Sequence, residues 1–462
     1  MSGDKKEGVH PPSGSPWGSN VKYGQREPLF SIRTGKHLLG VIPLILSMAE
    51  VVLSVPFKYK TSGDVRKILE DFRDMVNFCI QKALETGVTS FARLRKLIYE
   101  EFKAKWPNYA SHYCHSAVRV ATSMLKVWRN KCRKGQADPD RPPKAKKLFM
   151  RLDDHVAKFK GDKVVITTAP RHYIELKLII GDYQRKFVEM WERGELKVGE
   201  IVVNEEYVLV PFRKTVDLTD PDEWIALDMN ETNVTGASTN PHVFRWDLSE
   251  LRRIYWTYHE IRRRIQAIKG PRRARLLEKY SRRLRNRTRD LLHKISRAIV
   301  DTAREFRAGI IMEDLNGIKR RNRGRSLNRR LHGFWPVRRL QFYIDYKAKL
   351  AGLPVRYVNP KGTSSLCPTC GSRLVPNGHR RLKCSKCGLE GDRDVIACLN
   401  ILKMWGVSVP PERPAMKLPD GGGAGKSRTG IKFPDVRAGQ NGFTQPLPWA
   451  PCSSRVWLSK VA

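Results

Sequence analysis

Two short cysteine pairs, Cys367-Pro-Thr-Cys370-Gly and Cys384-Ser-Lys-Cys387-Gly, constrain this chain more than any other feature. A CxxC turn presents two thiolates to one side of an ion, and two such turns complete the tetrahedron that Zn2+ takes with sulfur ligands. The glycine after each pair permits the tight turn in which backbone N–H groups point at sulfur. Cys367, Cys370, Cys384 and Cys387 are therefore the expected ligands of one structural Zn2+, with residues 371–383 forming a short hairpin that carries His379, Arg380 and Arg381. No ligand position is left for water or substrate, so any chemistry has to lie elsewhere. The remaining cysteines, Cys79, Cys114, Cys132, Cys398 and Cys452, show no pairing pattern, which suits a reducing compartment.

Charge points to the partner. Against 46 acidic residues stand 87 Lys plus Arg, a formal net charge of +41 over 462 residues. The basic residues are spread along the chain and interleaved with Trp, Tyr and Phe, as expected for a protein that handles a nucleic-acid polyanion rather than a membrane surface or a small-molecule substrate. The apolar run from Leu38 to Ala49 is interrupted by Pro43 and falls well short of the roughly 20 residues a membrane span needs. Its position behind a Gly/Ser/Pro-rich leader also fits a signal peptide poorly. A cytoplasmic protein is expected.

Along the chain, residues 1–47 read as a leader without a fold of its own, with Met48 an alternative start. Val51 to Tyr59 has strand propensity. Between Asp64 and Lys134 apolar residues recur at helical spacing, as in Val65, Ile68, Leu69, Phe72, Met75, Val76 and Cys79. Strand-like runs return at 164–168, 174–180, 199–203 and 207–212. Ile225-Ala-Leu-Asp228 is a buried-strand run ending in a carboxylate, and Gly309 to Glu313 is a second. Between them lies a long basic helical region, Ser249 to Phe306. After the Arg-rich loop Lys319 to Arg330, Pro336 opens a helix that Gly352 closes, Val355 to Val358 forms a strand, and Asp392 to Met404 a final helix. From Pro410 the chain is Gly- and Pro-rich without periodicity and reads as a tail.

The carboxylates supply a candidate reaction centre. Phosphodiester hydrolysis with two Mg2+ ions needs several carboxylates converging where the ions hold the attacking and leaving oxygens. Asp228 and Glu313 end strands, while Asp392 and Asp394 begin the last helix, where an Asp more often caps backbone N–H groups.

These residues, with Glu313-Asp314-Leu315-Asn316, Asn286-Arg-Thr-Arg289-Asp290-Leu-Leu-His293-Lys294, Val358-Asn-Pro-Lys-Gly-Thr363-Ser364-Ser-Leu-Cys367 and Gly391-Asp392-Arg393-Asp394, resemble the TnpB family. These are RNA-guided nucleases of insertion sequences, akin to compact type V CRISPR effectors. The resemblance is dense from Trp224 to Trp405 and rests on layout alone upstream. It implies an α/β plus β-barrel architecture. A β-barrel wedge domain (48–62 and 137–222) would carry a helical recognition lobe (63–136), and a RuvC-like RNase H nuclease domain (223–362 and 392–408) would hold an inserted zinc ribbon (363–391). The remaining segments are the leader and the tail (409–462). It further implies Asp228, Glu313 and Asp394 as a Mg2+-binding catalytic triad, the third acid being the second Asp of Asp-x-Asp. Guide RNA and double-stranded target DNA would be the partners, contacted by Arg289, His293, Lys294 and the loop arginines Arg320, Arg321, Arg323, Arg325, Arg329 and Arg330. Ile396 and Cys398 depart from the family pattern. The expected function is RNA-guided DNA cleavage for a transposable element. A nuclease-inactive RNA-guided DNA-binding regulator or an accessory transposase protein is the alternative.

Overall fold

A computed structural model describes residues 48–60, 63–240, 242–315 and 336–406. The leader, the tail and the six loop arginines from Arg320 to Arg330 lie outside the described residues. Two compact units divide between Lys214 and Thr215, inside a strand and a few residues before the expected boundary at 223. Among the described residues no helix is long and apolar enough to cross a membrane.

Among the described residues the first unit begins at Val52, inside β1 (Met48–Tyr59), whose alternation buries Val55, Phe57 and Tyr59. Three helices follow, α1 (Gly63–Glu85), α2 (Phe91–Lys105) and α3 (His112–Cys132). The stripe Val65, Ile68, Leu69, Phe72, Met75, Val76 and Cys79 is buried as its spacing requires. The chain continues through β2 (Phe149–Leu152), β3 (Ala157–Phe159), β4 (Lys163–Ala169), β5 (His172–Ile179), α4 (Asp182–Glu192), β6 (Lys197–Val198), β7 (Ile201–Asn204) and β8 (Tyr207–Asp217). These strands form a sheet of order β2-β7-β8-β1-β5-β4-β3, with β6 on β8. The hydrogen-bonded path is open, with β2 and β3 at its ends, where the sequence led to the expectation of a barrel; a closed barrel needs its end strands paired. Helix α4 is absent from the sequence reading because its buried residues, Phe187, Val188 and Met190, are few and sit in a charged stretch.

The second unit contains β9 (Glu223–Met229), β10 (Asn233–Ser238), β11 (Val243–Asp247), α5 (Ser249–Gln266), α6 (Pro271–Glu305), β12 (Ala308–Glu313), α7 (Val337–Leu350), β13 (Val355–Val358), β14 (Leu374–Pro376), β15 (Arg381–Cys384), β16 (Glu390–Asp392) and α8 (Arg393–Met404). The single helical region expected over Ser249 to Phe306 is two helices. Gly270, at φ 82, takes a conformation that L side chains rarely adopt, and Pro271 opens α6 with its φ already helical. The hairpin β10–β11 escaped the sequence reading because Gly236 and Ser238 dilute its strand signal. That glycine is required: a Cβ there would lie 3.0 Å from the Trp246 ring.

Five strands form a sheet of order β11-β10-β9-β12-β13, antiparallel on the β11 side and parallel from β9 through β13. One face, with Ile225, Leu227, Ile310 and Met312, is covered by α6 and α7 through Leu292, Ile295, Ile299, Leu340 and Ile344. The other, with Ala226, Ala237, Ile311 and Val358, is covered by α8 through Cys398, Ile401 and Leu402. Side chains alternate between the two faces, so Asp228 and Glu313, two residues beyond Ala226 and Ile311, emerge on the α8 face.

Candidate functional site: three carboxylates beside a four-thiol ribbon

Strands β9 and β12 are parallel, with Leu227 opposite Met312, so the next residues, Asp228 and Glu313, stand side by side at the carboxyl ends of neighbouring strands. Neighbouring strands are about 4.8 Å apart. The third acid comes from α8. Asp392 caps this helix, its Oδ1 accepting from the backbone N–H of Asp394 at 2.9 Å, while its Oδ2 pairs with Arg245 at 3.0 Å. With Asp392 occupied as a cap, Asp394 in the first turn is only 1% exposed and lies close enough to Asp228 for its charge to act on that carboxyl.

Each carboxylate is held by a neighbour. Asn230 Nδ2 donates to Asp228 Oδ2 at 2.8 Å, and Thr363 Oγ1 donates to Glu313 Oε1 at 2.6 Å. Asn233 Nδ2 donates to Asp394 Oδ2 at 3.2 Å, and the Arg380 guanidinium pairs with the same oxygen. Gln341 Nε2 holds the Glu313 carbonyl oxygen at 2.7 Å, and Asn400 Nδ2 fixes the Thr363 loop through two carbonyls at 2.8 and 2.7 Å. None of these supporting residues was assigned a role in the sequence reading. Thr363 did lie within a quoted motif, and Arg380 was noted as a hairpin cation; for Asn230 and Asn233 only their closeness to Asp228 offered a signal.

Burial and then the negative charge of Asp394 push the Asp228 carboxyl up to about 7, against the pull of Asn230, with Glu313 adding to the rise. Burial likewise raises Glu313, opposed by Thr363. Asp394 Oδ1 is buried without a hydrogen-bond partner. Clustered carboxylates that repel one another, one with an orphaned oxygen, fit a hard divalent cation such as Mg2+. The carboxylate oxygens do not all lie within 4.8 Å of one another, as the donor atoms of two other groups do among the described residues, and the Arg380 guanidinium shares the space beside Asp394.

In the ribbon, β14, β15 and β16 form a small antiparallel sheet. The four Sγ atoms lie within 4.8 Å of one another, with Cys367···Cys387 at 3.5 Å and Cys370···Cys384 at 3.4 Å. Tetrahedral Zn–S bonds of about 2.3 Å place sulfurs about 3.8 Å apart, so the donor set fits Zn2+. Ile396, one of the two departures from the family pattern, packs against Cys367, Leu374, Leu382 and Cys384. The other, Cys398, is fully buried below the acids with its Sγ 3.3 Å from the Thr235 carbonyl, and burial keeps its thiol protonated.

Of the residues expected to touch nucleic acid, Arg289, His293 and Lys294 are described, all on α6. His293 stacks on Tyr343 with ring centroids 4.0 Å apart, and burial, then Lys347 and Arg289, push it down to about 4. Lys294 is exposed and pairs with Asp290 at 3.0 Å, while Arg289 is half-buried. The more exposed cations lie elsewhere on α6, at Arg272, Arg273, Arg275, Arg282, Arg283, Arg285 and Arg287.

Together these features define a basic, mixed α/β protein with one thiol-lined and one carboxylate-lined candidate cation site. Residues 338–401 match the family model described as Cas12f1-like, TNB domain, and residues 68–167 match that of the uncharacterized protein MJ0013 family. The chain is 40% identical to TnpB-like protein MJ0751 of Methanocaldococcus jannaschii over 272 residues, 56% of this chain and 98% of the relative. It is 28% identical to TnpB-like protein MJ1635 of the same organism, over 77% of this chain and 86% of the relative. A CRISPR-associated endodeoxyribonuclease Cas12f1 from an uncultured archaeon is 27% identical over 49% of this chain and 46% of its own. The chain belongs to the TnpB family.

Proposed function

We propose that the protein is an RNA-guided DNA endonuclease, with Asp228, Glu313 and Asp394 as its hydrolytic centre in a RuvC-like RNase H core. The observation that carries the reading is the convergence of these acids from β9, β12 and α8 at the carboxyl ends of neighbouring strands, with Asp228 raised by burial and then by Asp394. The three carboxylates would hold Mg2+, which when bound neutralises charge developing on the attacking and leaving oxygens of the phosphodiester. Asn230, Thr363 and Asn233 orient the carboxylates for this task, and Thr363 joins Glu313 to the loop that enters the ribbon. Four thiolates would hold structural Zn2+ and fix the ribbon beside the third acid.

Base pairing to a guide RNA supplies sequence specificity in this reading, and the protein holds the heteroduplex by shape and charge. The net charge of +41 and the exposed arginines of α6 suit that load. Residues 48–62 and 137–222 act as the wedge and 63–136 as the recognition lobe, and this N-terminal half reads a short motif in duplex DNA. The relative named as an endodeoxyribonuclease supports the same chemistry.

The test is to express the full chain with its native flanking DNA, sequence the RNA that co-purifies, and challenge the complex with a plasmid library of randomised flanks. Cleavage in Mg2+ that disappears in Asp228→Ala, with guided binding retained, is the expected result. Guided binding without cleavage by the wild type, or undiminished cutting by the variant, overturns the assignment.

A further inference from the structure

Far along the chain from the acids, in the first unit, two histidines and a carboxylate converge. His112 is the first residue of α3, and its Nδ1 lies 3.0 Å from Asp153 Oδ2. His155, in the β2–β3 turn, has its Nδ1 3.9 Å from Asp153 Oδ1 and 3.3 Å from Asp154 Oδ1. The two imidazole rings lie 4.1 Å apart. Donor atoms of His112, Asp153 and His155 all lie within 4.8 Å of one another, a property shared among the described residues only with the four-cysteine cluster.

We propose that His112, Asp153 and His155 form a second metal site, for a borderline divalent cation such as Zn2+ or Co2+, that ties the start of α3 to the β2–β3 turn. Two imidazoles and one carboxylate are the donors such ions prefer, whereas Mg2+ favours an all-oxygen set with several waters.

Backbone bonds fix the site before any ion arrives. Asp153 Oδ1 accepts the His155 N–H at 3.2 Å, and the Asp153 carbonyl accepts from Val156 and Ala157 at 3.2 and 2.9 Å. Ala110 N, just before α3, donates to the Thr168 carbonyl at 2.8 Å and anchors the other side. Asp153 is 12% exposed, His112 37% and His155 64%, so the carboxylate is held from below while the imidazoles open to solvent, where an ion enters and water completes the coordination. His115, one turn on, is outside the set, because neither of its ring nitrogens lies within 4.8 Å of all three donors, and its Nε2 faces the Arg119 guanidinium at 2.9 Å. The site spans 41 residues of sequence between His112 and Asp153, enclosing most of α3 and the segment up to β2. A bound ion would therefore tie two distant parts of the first unit together.

Co2+ is the probe, because it reports its ligands. The full chain, with the ribbon already filled by Zn2+ and the three acids occupied by millimolar Mg2+, is titrated with Co2+ and with Zn2+ in competition. A second equivalent per chain is expected, with d–d absorption but no thiolate-to-cobalt charge-transfer band. His155→Ala should weaken this equivalent by more than about tenfold, the scale on which metal sites lose affinity when a supporting group goes. His155→Cys should keep it and add the charge-transfer band, which locates the ion at residue 155 whatever the alanine variant does to folding. Absence of a second equivalent in the wild type, its persistence at full strength in His155→Ala, or binding by His155→Cys without the new band overturns the proposal.

Discussion

Replacing Asp228 by Asn should make the metal-free protein more stable while removing the hydrolytic activity proposed for it. In the folded chain the carboxyl is held at about 7 against an ordinary 3.8, chiefly by burial and by Asp394. Between those values the unfolded chain releases a proton that the folded one keeps, so stability falls as pH rises from about 4 to about 7 and stays low above. A shift of about three units corresponds to about 4 kcal/mol at 1.36 kcal/mol each, an upper bound, because side chains and water adjust when the carboxylate ionises. Asn keeps the acceptor for Asn230 Nδ2 but carries no charge, so about 2–4 kcal/mol should be regained at about pH 8. For a unit of this size each kcal/mol moves the midpoint by about 2–4 °C. The assay is thermal or urea unfolding of wild type and Asp228→Asn, with ribbon zinc retained and Mg2+ withheld, across pH 4 to 8. The gap should be near zero at the acid end, open through the middle of the range and level off. Millimolar Mg2+ should raise the wild type and leave the variant where it was. A gap that is independent of pH, or a variant less stable than the wild type at pH 8 without Mg2+, would refute the account of three mutually repelling acids.

Three further outcomes rest on particular contacts. Gly309→Ala should cost about 1–3 kcal/mol by overpacking, since a Cβ there would sit 2.5 Å from the Trp224 ring on the neighbouring strand; chemical denaturation and indole fluorescence would register the displacement. Lys347, buried against the His293 carbonyl and Ser296 Oγ, is pushed down to about 7 by burial and then by Arg297. Its folded pKa lies below its unfolded value of about 10.4, so it costs stability in full below about pH 7, and the cost shrinks as pH rises until the unfolded chain also releases the proton. The wild type should gain stability relative to Lys347→Met as pH rises from about 7 to about 10, and parallel pH-stability curves would contradict this. Cys384→Ser should lower bound zinc and cleavage together, with the melting of the ribbon visible by hydrogen exchange over residues 366–392; full zinc content with lost cleavage would place the cysteine in the chemistry instead.

Legibility followed periodicity and side-chain chemistry. The apolar stripe from Val65 to Cys79, the strand Ile225 to Asp228 and the two CxxC pairs are local signals, and the buried residues and the sulfur cluster occur where those signals pointed. The helix α4 and the hairpin β10–β11 were hidden because their identity depends on partners far away: Gly236 makes sense only beneath Trp246, and Phe187 only against Phe212. The same holds within the site. Carboxylates at strand ends are visible in sequence, but Thr363 on Glu313 spans 50 residues and Asn233 on Asp394 spans 161, so only the folded sheet brings them together.

The ribbon and the acids are joined by one short piece of chain. β15 pairs with β16 through Arg381 opposite Asp392, so the strand that carries Cys384 lies directly beside the cap of α8. Just before it, Arg380 takes φ 59, its carbonyl accepts the Arg393 N–H at 2.8 Å, and its guanidinium reaches Asp394. A residue with a Cβ is held in that left-handed conformation only when its surroundings fix it. The ladder and the carbonyl bond do so here. A guanidinium on Asp394 offsets the burial of that charge without a metal, and a divalent ion at the acids would have to share or displace it. Loss of zinc would free the hairpin and with it Arg380, so a metal that does no chemistry would still set the electrostatics of Asp394, the third acid of the proposed centre.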